Sequence, residues 1–278
     1  MIPFQNINFD EVFMFLLALA VAPVACLLIY IYKRDVIAKE PAKQLVKAFV
    51  GGILSAVLAI IVEYIVMLLL NMIPFEGNFF PALSTAFLVA AIPEEMCKFL
   101  FLFIFVWRSK DFDEHFDGIV YAVFVSMGFA CIENIMYVCT QGTATGILRA
   151  ITAVPGHFFF AIIMGYYFAL AKFEPYNRKP HMIKGIVGAI IAHGIYDFII
   201  LYVLRLAGDA SSDYSIFIIL LVIVFFVFNF KLWKNGFTRI REMREIDIQK
   251  LAYINNNNAM QQPKSRLDPI QNEQNPFE

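Results

Sequence analysis

The sequence predicts an all-α, polytopic membrane bundle of about seven transmembrane helices, with the N-terminus outside and the C-terminus inside. Composition gives the class: hydrophobic residues make up 60% of the 278-residue chain and charged residues 16%, with 30 Phe, and mean hydropathy is +0.68. Soluble domains do not reach such values. Apolar runs of about 20 residues recur, each long enough to cross about 30 Å of hydrocarbon at about 1.5 Å per residue. Lysine and arginine gather in alternate connections, which sets the orientation.

The first run, Val12–Tyr32, follows Met1–Glu11, whose only charged residues are acidic. Without a basic n-region this start reads as a retained reverse anchor, not a cleaved signal. Lys33, Arg34, Lys39, Lys43 and Lys47 lead to the second run, Ala48–Met72. The third, Ala82–Trp107, is followed by Arg108 and Lys110, then by the fourth, Gly118–Thr140. The fifth, Ile147–Ala171, precedes Lys172, Arg178, Lys179 and Lys184, and Gly185–Leu206 and Ser215–Trp233 complete the set. The remaining connections carry almost no basic residues. The chain thus divides into a bundle over 1–235, a cytoplasmic amphipathic helix over 236–254 near anionic headgroups, and a tail over 255–278 too polar to order itself. Cys26, Cys97, Cys131 and Cys139 lie within spans without metal-ligand spacing and read as small apolar helix residues. Nothing suggests a nucleic-acid partner or an organic cofactor, and oligomeric state is left open.

Ionisable residues inside the spans are functional candidates, because charge at that depth must face a partner or a wet cavity. They are Glu63, Glu94, Glu95, Glu133 and Asp197, with His157 and His193. In Pro93-Glu-Glu-Met-Cys-Lys98 the lysine is one helical turn from both acids and can neutralise either. Two adjacent acids in low dielectric repel, so one is expected to hold a proton or to bind a cation, as general acid/base work requires. Glu133 lies on a helix whose Ser126, Gly128 and Ala130 let a neighbour approach, which turns it toward protein. Asn134 reads as interhelical glue. Arg149, near a span end, reads as a snorkelling side chain or as a ligand for a substrate carbonyl. Asp197, one turn after His193, can support the imidazole. Asp117 reads as a helix cap, and His115 and His181 as solvated.

Counting from the outer span ends, Glu133 lies roughly 10 Å deep, Glu94 and His157 roughly 15 to 18 Å, and His193 roughly 20 Å. Glu63 falls at a similar depth. His157, His193, Glu133 and Glu94 therefore share one layer, and their N/O donors suit Zn2+ with one position open to water.

Glu94-Glu95-x-x-Lys98, the stretch from Phe116-Asp-Gly-Ile-Val-Tyr121 to Gly128-Phe-Ala-x-x-Glu133-Asn134, Arg149-Ala with Pro155-x-His157, and His193-x-x-x-Asp197 together resemble the PrsW family of intramembrane proteases. That group is related to the CAAX prenyl endopeptidases and the Aph subunit of gamma-secretase. The likeness runs from Pro93 to Asp197 and implies cleavage of a membrane-anchored protein, typically an anti-sigma factor, near the outer face of a bacterial inner membrane. By carry-over, Glu94 and Glu95 activate or position water and Glu133, His157 and His193 complete the catalytic cluster. Lys98, Asn134, Arg149 and Asp197 support it. Glu133 stands where the prenyl endopeptidases have histidine, which points away from prenylated substrates. A metal-bound water and a glutamate-activated water both fit these residues, with the metal route favoured. A non-catalytic scaffold and an ion-coupled transporter are the alternatives from other classes, although no internal repeat supports the transporter.

Overall fold

The computed structural model describes residues 9–210 and 213–261, and among these the regular structure is helical throughout. The elements are α1 (Phe9–Arg34), α2 (Ala42–Leu70), α3 (Phe79–Ser84), a π-helical segment (Thr85–Ala91), α4 (Ile92–Val106), α5 (His115–Gln141), α6 (Thr143–Ile151), α7 (Ala153–Phe173), a 3-10 turn (Pro175–Asn177), α8 (Arg178–Gly208) and α9 (Ser215–Gln261). Six helical stretches are long and apolar enough to cross a bilayer. The third expected span is an interrupted run, α3 through α4, whose pieces are individually short.

Two interruptions have a proline behind them. Pro93 brings no N–H to the ladder, and the preceding turn widens to π geometry over Thr85–Ala91. Pro155 cannot bond the carbonyl of Ile151, and the chain breaks at Thr152 (φ −123°, ψ −65°) between α6 and α7. The fifth expected span is thus a bent pair, with His157 in the second turn of its inner member.

Helix α5 is the innermost element, packed against α1, α2 and α7. Its close approaches use facing glycines. A Cβ on Gly52 would overlap the Val125 carbonyl and one on Gly128 the Phe49 carbonyl, so α2 and α5 cross backbone to backbone. Outward faces of α2 and α9 stay apolar, through Ile61, Ile65, Leu69, Ile219, Ile223 and Phe226 among others, as contact with lipid tails requires.

The Lys/Arg-rich connections meet at one end, where Lys172 Nζ donates to the Trp107 carbonyl (2.8 Å) and Gln44 Nε2 to that of Phe105 (2.9 Å). There α5 starts with a capping box between Glu114 and Asp117; Asp117 Oδ2 accepts the N–H groups of Asp113 and Glu114. Asp247 of α9 accepts the N–H groups of His115 (2.9 Å) and Phe116 (2.8 Å). His115, expected in solvent, also bonds Asp247 through Nδ1 and lies against Phe173; His181 bonds Glu174 and stacks on Tyr167. Their rings pack against aromatic surface that the charged flanking sequence does not announce. Helix α9 does not stop at Trp233. It continues through the stretch expected as a separate helix and reaches Gln261, because the polar residues there still bury Ile240, Met243 and Asp247 against the bundle. The tail after Gln261 lies outside the described residues.

Candidate active site

Lys98 is the centre of the polar cluster. On α4, Glu94, Glu95 and Lys98 fall on one face by helical spacing, and Lys98 Nζ bonds both Glu94 Oε2 (3.0 Å) and Glu95 Oε1 (2.7 Å). The ammonium also contacts His157 Nδ1 (3.1 Å) and lies 4.0 Å from the centre of the Phe129 ring. All four polar side chains are sealed from solvent: Glu94 is 6% exposed, Glu95 1%, Lys98 1% and His157 4%.

From α7 and α8 come the imidazoles, 5.3 Å apart and nearly perpendicular. Each has a carboxylate behind it. His157 turns Nδ1 to the centre and Nε2 to Glu133 Oε2 (2.7 Å); His193 turns Nδ1 to Glu95 Oε1 (2.9 Å) and Nε2 to Asp197 Oδ2 (3.2 Å). Because an ammonium only donates, His157 Nδ1 accepts from Lys98, and the ring proton sits on Nε2, facing Glu133. Ser126 Oγ donates to the His157 carbonyl (2.9 Å) and Phe160 stacks on His193 (4.9 Å between rings).

An outer layer is partly open. Glu133 pairs with Arg149 Nη2 (3.0 Å), and the side chains of Glu133, Arg149 and Asp197 are 17%, 13% and 24% exposed. Arg149 Nε donates to Asn134 Oδ1 (2.9 Å), and Asn134 Nδ2 to the Ala20 carbonyl (2.8 Å), so α1, α5 and α6 are joined through one chain of bonds. Arg149 therefore does not reach out to the membrane surface; its guanidinium lies over Tyr137. Glu63 of α2 is within electrostatic reach of Glu133, Lys98, His193 and Asp197.

Donor atoms of Glu94, Glu95, His157 and His193 all lie within 4.8 Å of one another, the one group among the described residues with the composition of a metal centre. Two carboxylates and two imidazoles, backed by further carboxylates, form a donor set that could hold a metal ion. Of the sequence layer Glu94, Glu133, His157 and His193, the structure brings Glu94, His157 and His193 into this group together with Glu95, whereas Glu133 stands behind His157. Depth along an axis does not encode rotation about it.

A model of the PrsW family of intramembrane metalloproteases matches residues 40–229, a stretch that contains every residue of the cluster. The chain belongs to this family. It is 36% identical over 186 residues to Protease PrsW of Geobacillus kaustophilus, covering 67% of this chain and 80% of the relative. Identity is 33% over 233 residues to Protease PrsW of Clostridioides difficile, with coverages of 82% and 90%. To that of Bacillus subtilis it is 31% over 237 residues, with coverages of 85% and 99%. No solved structure matches the chain. As a PrsW-family member it is an intramembrane protease, acting on protein within a lipid bilayer.

Three members of the site carried no polar-motif signal. Phe129 is visible in the sequence only within the Gly128-Phe-Ala stretch, Ser126 only as a small residue that lets a neighbour approach, and Phe160 only as a span residue. The π segment before Glu94 could have been anticipated from Pro93.

Proposed function

We propose that this protein hydrolyses a peptide bond in a membrane-anchored, anti-sigma-factor-like protein, near the outer face of a bacterial inner membrane. The observation that carries the reading is that each imidazole turns Nδ1 to the inner group, His157 to Lys98 and His193 to Glu95, and Nε2 to a backing carboxylate, Glu133 or Asp197. That is the pattern by which proteins orient histidines toward a cation. Glu95, His157 and His193 would hold the ion, for which zinc is the best match to the donor set, with Glu94 beside them; it would make a bound water acidic enough to ionise near pH 7. The Lys/Arg-rich end would face the cytoplasm, with residues 236–254 at the headgroups.

The proton steps are assigned to this chain's residues as follows. Glu94 is held through one oxygen only, by Lys98, and takes a proton from the attacking water as its oxygen bonds the scissile carbonyl carbon. Lys98 is the nearest cationic donor for the negative charge that develops on the carbonyl oxygen. When the C–N bond breaks, the Glu94 proton passes to the leaving amine. Glu95 is doubly engaged, by Lys98 and His193, and keeps both in position. Asp197 and Glu133 hold the ring orientations.

A second reading has its own support. The Lys98 ammonium stands between both carboxylates and His157 and supplies the counter-charge that a metal would otherwise bring, as a glutamate-type protease would need. The test is reconstitution in nanodiscs with tagged single-span anti-sigma-factor-type proteins, with metal content measured on the same sample. Wild type is expected to cut within or beside the span, and Glu95→Gln and His193→Ala to abolish cutting while the bundle stays folded. Full activity in both variants refutes the assignment. Full activity of a metal-free preparation selects the glutamate mechanism.

A further inference from the structure

At the Lys/Arg-rich end, α7, α8 and α9 enclose a groove of about 410 Å³ that lies apart from the charged cluster. Apolar residues form most of its lining: Ile163 and Tyr167 of α7, with Val187 and Ile191 of α8, which are four apart on one stripe and are 45% and 48% exposed. Gly188 keeps the floor open, since a Cβ there would stand 2.9 Å from Ile163 Cγ2. Two cations, Lys184 of α8 and Arg239 of α9, also line the groove, and no carboxylate does.

Both cations are free to meet an anion. Lys184 is exposed and has no hydrogen-bond or ion-pair partner among the described residues. Arg239 is held in place, its guanidinium 4.4 Å from the centre of the Tyr166 ring and 5.1 Å from that of Tyr167, while Nε donates to Asn235 Oδ1 (2.9 Å). Its terminal nitrogens have no ion-pair partner among the described residues, and Glu242, three residues on, reaches the Tyr166 hydroxyl. Other cations of this end are engaged: Lys172 donates to the Trp107 carbonyl, and Arg178 lies over the Trp107 ring.

The charges and the apolar stripe follow one another along the helices. Lys184 is six residues from the start of α8, about 9 Å along it, and Ile191 is thirteen, about 20 Å; Arg239 is six residues past Trp233, where the last apolar run ends. Charge stands toward the water and the stripe runs on into the hydrocarbon, which is the order of a phosphate and its acyl chain.

We propose that this groove binds an anionic phospholipid. Its phosphate oxygens accept from Lys184 Nζ and from the terminal nitrogens of Arg239, whose planar fork matches a phosphate, and one acyl chain lies along Ile163, Val187 and Ile191. An apolar protein span in the same place would leave both cations without a counter-charge, and a zwitterionic lipid would bring a cation of its own toward them. Because three helices form the lining, the bound lipid ties α9 to α7 and α8, on which His157 and His193 stand. The site is separate from the charged cluster and stands whatever the substrate is.

The test places the full protein in phosphatidylcholine nanodiscs with a trace of phosphatidylglycerol or phosphatidylcholine that carries a diazirine in its acyl chain, and maps the light-induced adducts by mass spectrometry. Labelling of Ile163, Val187 and Ile191 is expected to favour phosphatidylglycerol by about thirtyfold, as two basic groups at a membrane surface provide. Lys184→Gln, at an exposed and unpartnered side chain whose loss leaves the fold intact, should lower the preference to about fivefold, and adding Arg239→Gln should abolish it. Lys179→Gln with Arg241→Gln removes the same charge from exposed positions outside the groove and should leave the preference in place. Equal labelling by the two lipids, a full preference in Lys184→Gln, or a loss in the outer pair as large as in the groove pair overturns the proposal. So does exclusion of both lipids by a second copy or a protein span. Loss of labelling in inorganic phosphate but not in chloride of equal ionic strength would assign the two cations to a free anion and overturn it as well.

Discussion

Removing the Lys98 ammonium while keeping its bulk, by Lys98→Met, tests whether the buried charges are balanced as the geometry indicates. Lys98 is 1% exposed and bonds two carboxylates at 3.0 and 2.7 Å, themselves 6% and 1% exposed. With methionine in its place, two carboxylates face each other with no cation between them, and breaking a buried pair in this way costs about 3–5 kcal/mol. For a chain of this size that is a fall in melting midpoint on the order of 10 °C. The measurement is thermal unfolding in nanodiscs after chelator treatment, then with Zn2+ added. If Glu95, His157 and His193 bind the ion, a hundredfold excess over Kd returns about 2.7 kcal/mol. A chelated variant as stable as wild type would refute the charge argument; a destabilised variant that zinc does not rescue would refute the metal assignment.

Glu94→Gln is expected to slow cleavage by about 10²–10⁴-fold with little change in stability, because Lys98 keeps Glu95 at 2.7 Å; turnover and melting midpoint on one preparation check it. Gly52→Ala forces a Cβ into the Val125 carbonyl and should destabilise the α2–α5 crossing by about 1–3 kcal/mol, whereas Gly208→Ala, where a Cβ meets nothing, should not. At the Lys/Arg-rich end, Glu40 is buried beside Asp117 and its hydroxyl donor is Tyr121; burial first, then Asp117, pushes its carboxyl from 4.5 up to about 10. A raised folded value means the native state holds a proton that the unfolded chain has lost, so stability is full below about pH 4.5 and declines as pH rises toward about 10. Glu40→Gln should flatten that decline in a pH series of melting midpoints.

Helix existence was legible because apolar length is written directly in composition, as Ser215–Trp233 and Val12–Tyr32 show. Interruptions were legible in principle, since Pro93 and Pro155 mark both, but an apolar run reads as continuous when only hydropathy is counted. The helix expected over 236–254 is there, but it is continuous with the last span and runs on through 255–261, which the sequence assigns to the tail; polar residues after Trp233 end the apolar signal without ending the helix. At the site, residue types and approximate depth place Glu94, His157 and His193 in one layer, and the structure brings their side chains into one cluster. Rotation about each axis was not available, which is why Glu95, locked between Lys98 and His193, and Glu133, behind His157, exchanged positions. Arg149 reads as snorkelling or as a ligand for a substrate carbonyl because its bond to Asn134 depends on α6 folding back over α5.

The glycine crossings and the charges explain each other. Glu133 must sit on a helix shielded from lipid, since a carboxylate facing hydrocarbon has neither water nor partner. Helix α5 is shielded because Gly52 and Gly128 let α2 approach it, and Gly118 with Gly165 let α7 approach it, at distances no larger side chain allows. That second crossing brings α7 close enough for Ser126 of α5 to hold the His157 carbonyl and for Glu133 to reach the His157 ring. Small residues that carry no chemistry thus set the 2.7 Å contact on which the imidazole's orientation depends. A substitution at Gly165 should therefore disturb His157 before it unfolds the bundle, because the nearest bonds to strain are those between α5 and α7.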